Sequence, residues 1–305
     1  MKRLFIYLIV TFGLTWGLLI PAGFMLGTFV NGEASSMVMM GLIALSMFFP
    51  LVGALVANFA CKPEERIDLG WRPLVGRNIP SYLVAWFLPA GIALVGCIVF
   101  FATNPQSFDL TMTSFIESSA AAAGVSADEL VANQPPMPLM LAAVLASSLT
   151  YAPFINMIPA FGEEIGWRGM LFPTLAELMP SRAAAVVSGA IWGLWHAPAI
   201  AMGHNYGMGY AGFPLVGVLT MMLACAALGC LMCLLRVRTG SVWPCALAHG
   251  AFNAIANVGV IFCISGATVF GPSPLGLVAG IPLFVIGIVC WLRLGAHDTM
   301  ISSVR

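Results

Sequence analysis

Gly162-Glu163-Glu164-Ile165-Gly166-Trp167-Arg168-Gly169 sets two adjacent carboxylates and a guanidinium at the end of a long apolar run. An ionised side chain inside a bilayer costs at least ~2.5–3.5 kcal/mol, so such residues are rare there and carry function. Two neighbouring carboxylates add mutual repulsion to that cost. On a helix Glu164 and Arg168 stand at i,i+4 and share a face, so they can pair. Glu163 points about a quarter turn away, with no charged partner at that spacing. The rest of the sequence has to supply what Glu163 faces.

Around this stretch the chain of 305 residues is 60% hydrophobic and 8% charged, with twelve basic and twelve acidic residues. Such apolar runs read as transmembrane helices, and zero net charge argues against a nucleic-acid binder. Eight spans are expected, at 4–29, 37–60, 79–102, 138–161, 184–203, 213–235, 241–264 and 274–294. Each is close to the ~20 residues needed to cross the hydrocarbon core. With eight spans, every Lys and Arg falls on one side of the bilayer, from Lys2 and Arg3 through Arg72 and Arg236 to Arg305. Basic loops stay cytoplasmic. The expected fold is therefore an all-α polytopic membrane bundle of about eight helices, a single domain over 1–305 with both termini cytoplasmic. Met1-Lys2-Arg3 and the run that follows resemble a signal peptide, but the run is long and further spans follow, so it reads as an uncleaved first span.

Between the spans the signals are weaker. The link 103–136 is acidic and contains Ser126-x-x-Glu129, a capping-box pattern that opens a short helix; it is expected to lie over the outer face or to be a plain solvated loop. The stretch 203–212 is glycine-rich and reads as an outer turn. The eight cysteines lie in or beside apolar runs and read as small buried hydrophobes, Cys230-x-x-Cys233 included. His204 and His297 are expected to be solvated. Pro159 and Gly162 are expected to loosen the helix before Glu163 and admit water.

Two further spans carry ionisable residues away from their ends. One reads Ile191-Trp192-Gly193-Leu194-Trp195-His196, the other Ala248-His249-Gly250-Ala251-Phe252-Asn253. Trp192 and His196 share one helix face, as do His249 and Asn253. At 1.5 Å per residue, Glu163, His196 and His249 lie at overlapping depths of roughly 8–21 Å from the basic side. Charged and polar groups do not stay alone in lipid, so Glu163, His196, His249 and Asn253 are expected to share one cytoplasm-facing cavity. An isolated intramembrane His often only braces helices through a hydrogen bond, and for His196 alone that reading stands beside the functional one. Glu164 with Arg168 reads as a structural pair.

Glu163-Glu164-x-x-x-Arg168, then Trp192-x-x-x-His196, then His249-x-x-x-Asn253, in this order on separate spans, resembles the CPBP family of CAAX prenyl endopeptidase-like intramembrane proteases and bacteriocin-processing or immunity proteins. The resemblance covers about 138–264, which would then be the catalytic core. The family often has Phe where this chain has Trp192. The resemblance implies hydrolysis of a peptide bond in a membrane-associated peptide or protein. Glu163 and His196 would activate water, and His249 and Asn253 would stabilise the oxyanion. Glu164, Arg168 and Trp192 would support the site. Compact loops point to a bacterial plasma-membrane member.

The same residues admit another chemistry. Glu163, His196 and His249 could supply a zinc ion with three ligands and one open position; no His-Glu-x-x-His helix occurs, and a metal-free site without cofactor is favoured. No aspartate lies in an expected span and no Gly-x-Ser-x-Gly occurs, which excludes a paired-aspartate or nucleophile-elbow protease. A transporter would show duplicated halves, and none is visible. The alternative from another class is a non-catalytic immunity or scaffold protein of the same fold.

Overall fold

The computed structural model describes residues 1–28, 37–132 and 135–302, without the side chains of Ala122 and of 296–302. His297 and Arg305 therefore lie outside what is described. The described residues are helical, with no strand beyond two isolated bridges, Phe108 with Cys263 and Thr268 with Gly271. The chain begins with α1 (Lys2–Met25), α2 (Met37–Ser46), α3 (Phe49–Phe59) and α4 (Val75–Thr103). After the outer link come α5 (Met137–Leu149), α6 (Ala152–Glu164) and a π-helical turn over Ile165–Leu171. Then follow α7 (Ser181–Trp195), α8 (Leu215–Thr239), α9 (Trp243–Ile255) and α10 (Ile281–Ser302).

A helix or helix pair thus stands at each of the eight expected segments. Length and apolar composition qualify five of the described helices to cross a membrane, and six when α5 and the helix beginning at Ala152 count as one bent span. The protein is an integral membrane helical bundle. Its outer-facing side chains are apolar, as α4 shows with exposed Leu83, Val84, Phe87, Leu94 and Ile98; contact with lipid leaves them no cause to turn inward.

Small residues set the packing around the site. α7 lies against α8, and a Cβ on Gly189 or Gly193 would run into the α8 backbone at Ala226 and Met222. Gly189-x-x-x-Gly193 is thus a close-approach stripe, the arrangement that draws membrane helices together. Gly250 does the same for α9, where a Cβ would meet Pro153 and Met157 of α6. These contacts bring α6, α7 and α9, the three helices with intramembrane ionisable residues, around one centre.

The break before Glu163 is not where the sequence placed it. Pro159 sits inside α6 without interrupting it. The chain bends by 49° between α5 and α6 instead, at Thr150, whose φ of −112° and ψ of −86° leave the helical region. Gly162 serves contact: a Cβ there would lie 2.8 Å from the Met47 carbonyl. The helix geometry does change beyond Glu164, where the π turn widens the ladder. In the outer link, Ser126 Oγ accepts the Glu129 N–H at 3.1 Å, as the capping pattern implies. The link is fastened to the segment after α9 by Asp109 N–H donating to Phe262 O at 2.9 Å and Ile264 N–H to Ser107 O at 3.0 Å.

Candidate active site

α6 ends at Glu163 and Glu164, and the two side chains leave it in different directions. Glu164 is fully buried and its Oε1 accepts two bonds, from Arg168 Nη1 at 2.9 Å and from His249 Nδ1 at 2.9 Å. The i,i+4 pairing expected from the sequence is present, and α9 adds a second partner. Arg168 is 1% exposed and its guanidinium carbon lies 4.4 Å from the Trp192 ring centre, a cation–π contact in a desolvated place.

Glu163 has partners the sequence reading did not give it. Its Oε2 accepts the indole N–H of Trp192 at 2.7 Å and that of Trp167 at 3.0 Å. Trp167 stands at i+4 from Glu163, the same spacing as Arg168 from Glu164, so the signal is present in the sequence, carried by an uncharged donor. Oε1 receives no hydrogen bond from the described residues. No direct hydrogen bond joins Glu163 to His196 or Asn253.

A cavity of about 310 Å³ gathers Glu163, Trp192, His196, His249 and Asn253. His196 closes α7, and its Nδ1 lies 2.9 Å from Trp192 O. A carbonyl only accepts, so Nδ1 carries the proton and the Nε2 lone pair of the neutral ring is free. The same holds at His249 wherever Glu164 is ionised against Arg168. Asn253 is exposed to the cavity and has no protein hydrogen bond among the described residues. Asn156, one face-repeat before Glu163 on α6, and Asn257, one turn beyond Asn253, also line the space.

Two expectations need correction. His204, read as solvated, lines this cavity together with Asn205, because the turn after residue 201 folds back over the helix ends. Burial pushes its imidazole below the ordinary histidine range. The cavity also does not face the basic end. Its walls include Thr15 and Leu19, which lie roughly 20–26 Å along α1 from Lys2 at 1.5 Å per residue, with Met40 and Ile43 of α2 and Leu275 before α10. Trp167, Arg168, Met170 and Leu171, which follow Glu163 and Glu164 in the chain, are all buried, and none of them lines the cavity. Depth arithmetic along single helices carries no information on which end of the space is blocked.

Among the described residues no three His, Cys, Asp or Glu side chains come close enough to hold a metal ion together. The set Glu163, His196 and His249 therefore does not fit a shared zinc as it stands. The eight cysteines are free, seven of them buried, and Cys225 reaches the cavity wall.

Residues 142–255 match the family model for type II CAAX prenyl endopeptidases, Rce1-like. That range runs from α5 to the end of α9 and contains every residue of the three motifs. A CAAX prenyl protease 2 of Methanococcus maripaludis is 36% identical over 53 residues, 17% of this chain and 20% of that protein. The chain thus matches about a fifth of the length of that curated relative. Through its central helices, the chain is similar to the Rce1-like type II CAAX prenyl endopeptidases.

Proposed function

We propose that this protein is an intramembrane endopeptidase of the glutamate type. The observation that carries the reading is the cavity that holds Glu163, His196, His249 and Asn253 within an Rce1-like core. In this mechanism a water sits between Oε1 of Glu163 and Nε2 of His196. Glu163 takes a proton from it as the hydroxide oxygen attacks the scissile carbonyl carbon. The Asn253 amide donates to the oxyanion of the tetrahedral intermediate. His249 does so through Nε2 when its ring is doubly protonated, the positive charge then standing 2.9 Å from Glu164. Collapse breaks the C–N bond, and the proton on Glu163 passes to the leaving amine, which yields a carboxylic acid and an amine from peptide and water.

No step is routed through a metal, and a chelator is expected to leave turnover unchanged. The substrate is a membrane-associated peptide or protein, met within the bilayer. A bundle of eight spans in a bacterial plasma membrane, with both termini cytoplasmic, completes the reading; it follows from the Lys and Arg distribution. The test is comparative membrane peptidomics of cells with the native chain and with Glu163→Gln. Peptides that vanish in the variant at equal protein level support the proteolytic reading. Identical peptidomes overturn it and favour a non-catalytic immunity or scaffold role.

A further inference from the structure

We propose that Trp192, together with Trp167, is a positioning residue that saturates one oxygen of Glu163 and leaves the other as the only oxygen able to take a proton from water. An indole N–H can donate but never accept, so neither tryptophan can exchange roles with the carboxylate. Two such donors meet on Oε2, at 2.7 Å from Trp192 and 3.0 Å from Trp167. They occupy both lone pairs of that oxygen, and no described residue bonds Oε1. The carboxylate is thereby fixed in rotation, with one defined basic atom.

Trp192 is itself held from several sides. Arg168 lies over its ring face at 4.4 Å. The His249 ring meets it edge-on, with centres 5.2 Å apart and planes at 65°. Its own carbonyl oxygen fixes Nδ1 of His196 at 2.9 Å. One residue therefore registers both groups assigned to water activation: Glu163 through the indole N–H, His196 through the backbone. Trp167 is 0% exposed and is braced edge-on by Tyr7 and Trp195. The role of this clamp in turnover rests on the proteolytic reading above, but the clamp itself can be measured without a substrate.

The experiment uses the full chain in lipid nanodiscs. Infrared difference spectra against Glu163→Gln isolate the carboxylate stretches of Glu163 under alkaline conditions. Trp192→Phe and Trp167→Phe each remove one N–H and keep an aromatic ring. Trp291→Phe, on α10 beside Arg182, is the control. The splitting between the antisymmetric and symmetric stretches of Glu163 is expected to change in both site variants, more in Trp192→Phe, and to stay native in Trp291→Phe. If Trp192→Phe does not fold by its melting curve, a benzothienylalanine at position 192 keeps the bicyclic shape without the N–H and gives the same reading. Native carboxylate bands in Trp192→Phe, or in the isostere, overturn the clamp. On a substrate found by peptidomics, Trp192→Phe is expected to lower kcat ~10-fold with KM within about twofold, as loss of an interaction used only in the transition state; equal loss in KM alone overturns the positioning role. A wild-type chain that cleaves nothing defeats the protease reading and leaves the infrared result standing.

Discussion

On the cavity side of the step from residue 163 to 164, two indoles hold one oxygen of Glu163 and the other takes no hydrogen bond from the described residues. On the sealed side, Arg168 and His249 share one oxygen of Glu164, and both Glu164 and Arg168 are buried. The same residue type, one position apart on one helix, is thus prepared for proton transfer in one case and for anchoring in the other. Glu163 is surrounded by donors that carry no formal charge, which orient a carboxylate without neutralising it. Glu164 is countered by a guanidinium, which fixes its charge, and the carboxylate is fully buried. The sealed side is also incompletely satisfied: Glu164 Oε2 and Arg168 Nε and Nη2 are buried without a partner among the described residues. A buried ion pair with such gaps is costly to assemble and more costly to break.

The largest expected effect is on the cavity side. In Glu163→Gln the amide oxygen can still accept both indole N–H groups, so the fold and melting temperature stay native. The base is gone, and the contribution of general base catalysis is typically 10²–10⁴-fold, so hydrolysis is expected to fall by about that factor. If Glu163→Gln cleaves normally while Glu164→Gln is folded and inactive, the two roles are exchanged.

The sealed side should respond in the opposite manner. Glu164→Ala leaves the Arg168 charge without its carboxylate and takes the acceptor from His249. Breaking a buried pair costs about 3–5 kcal/mol, read as a loss of detergent-solubilised yield and a lower melting temperature. Adding Arg168→Ala removes the stranded charge, and the double variant is expected to recover part of the yield. A double variant no better than Glu164→Ala would mean that His249, through α9, is the partner that matters.

A third, smaller effect concerns the packing that brings the two sides together. Gly193→Ala puts a methyl group into the α8 backbone near Met222. Overpacking of this kind costs about 1–3 kcal/mol. The shift lies between Trp192 and His196, so it should lower cleavage as well as melting temperature. Gly13→Ala on α1 meets nothing within 4 Å and is the control. Equal behaviour of the two variants would remove the close-approach stripe from the argument.

How much of this was legible in the sequence depends on the kind of contact. The helical class, the three site helices and the Glu164–Arg168 pair follow from apolar run length and from i,i+4 spacing, both local rules. Cys230-x-x-Cys233 was rightly read as buried hydrophobes, since all eight thiols are free. Trp167 on Glu163 obeys the same i+4 rule and was legible in principle. His249 on Glu164 was not, because it joins residues 85 positions apart on different helices. Gly189 and Gly193 carried a pattern for close helix contact without naming the partner helix. The bend at Thr150 left no mark, since Pro159 was the stronger breaker and the helix absorbed it. The direction in which the cavity opens depends on which helix ends are plugged, a property of the whole bundle.

The smallest expected effect belongs to His204, where the cavity meets the turn after residue 201. Burial holds this imidazole below its ordinary value in the folded chain, while an unfolded histidine titrates near ~6.5. Above that pH the ring is neutral in both states and folding carries no proton cost. As pH falls below it, the unfolded chain takes up a proton that the folded chain refuses, so stability declines toward the lower folded value. The neutral ring is therefore a stabilising feature at neutral pH and a liability in acid. The titratable groups that share its cavity are Glu163, His196, Cys225 and His249, so the effect is isolated by difference. The melting temperature of the native chain is expected to drop between about pH 7 and pH 5 by more than that of His204→Gln, which keeps a polar side chain and cannot titrate. Parallel curves for the two proteins would return His204 to the solvated turn that the sequence implied, and would shorten the cavity to the residues of α6, α7 and α9.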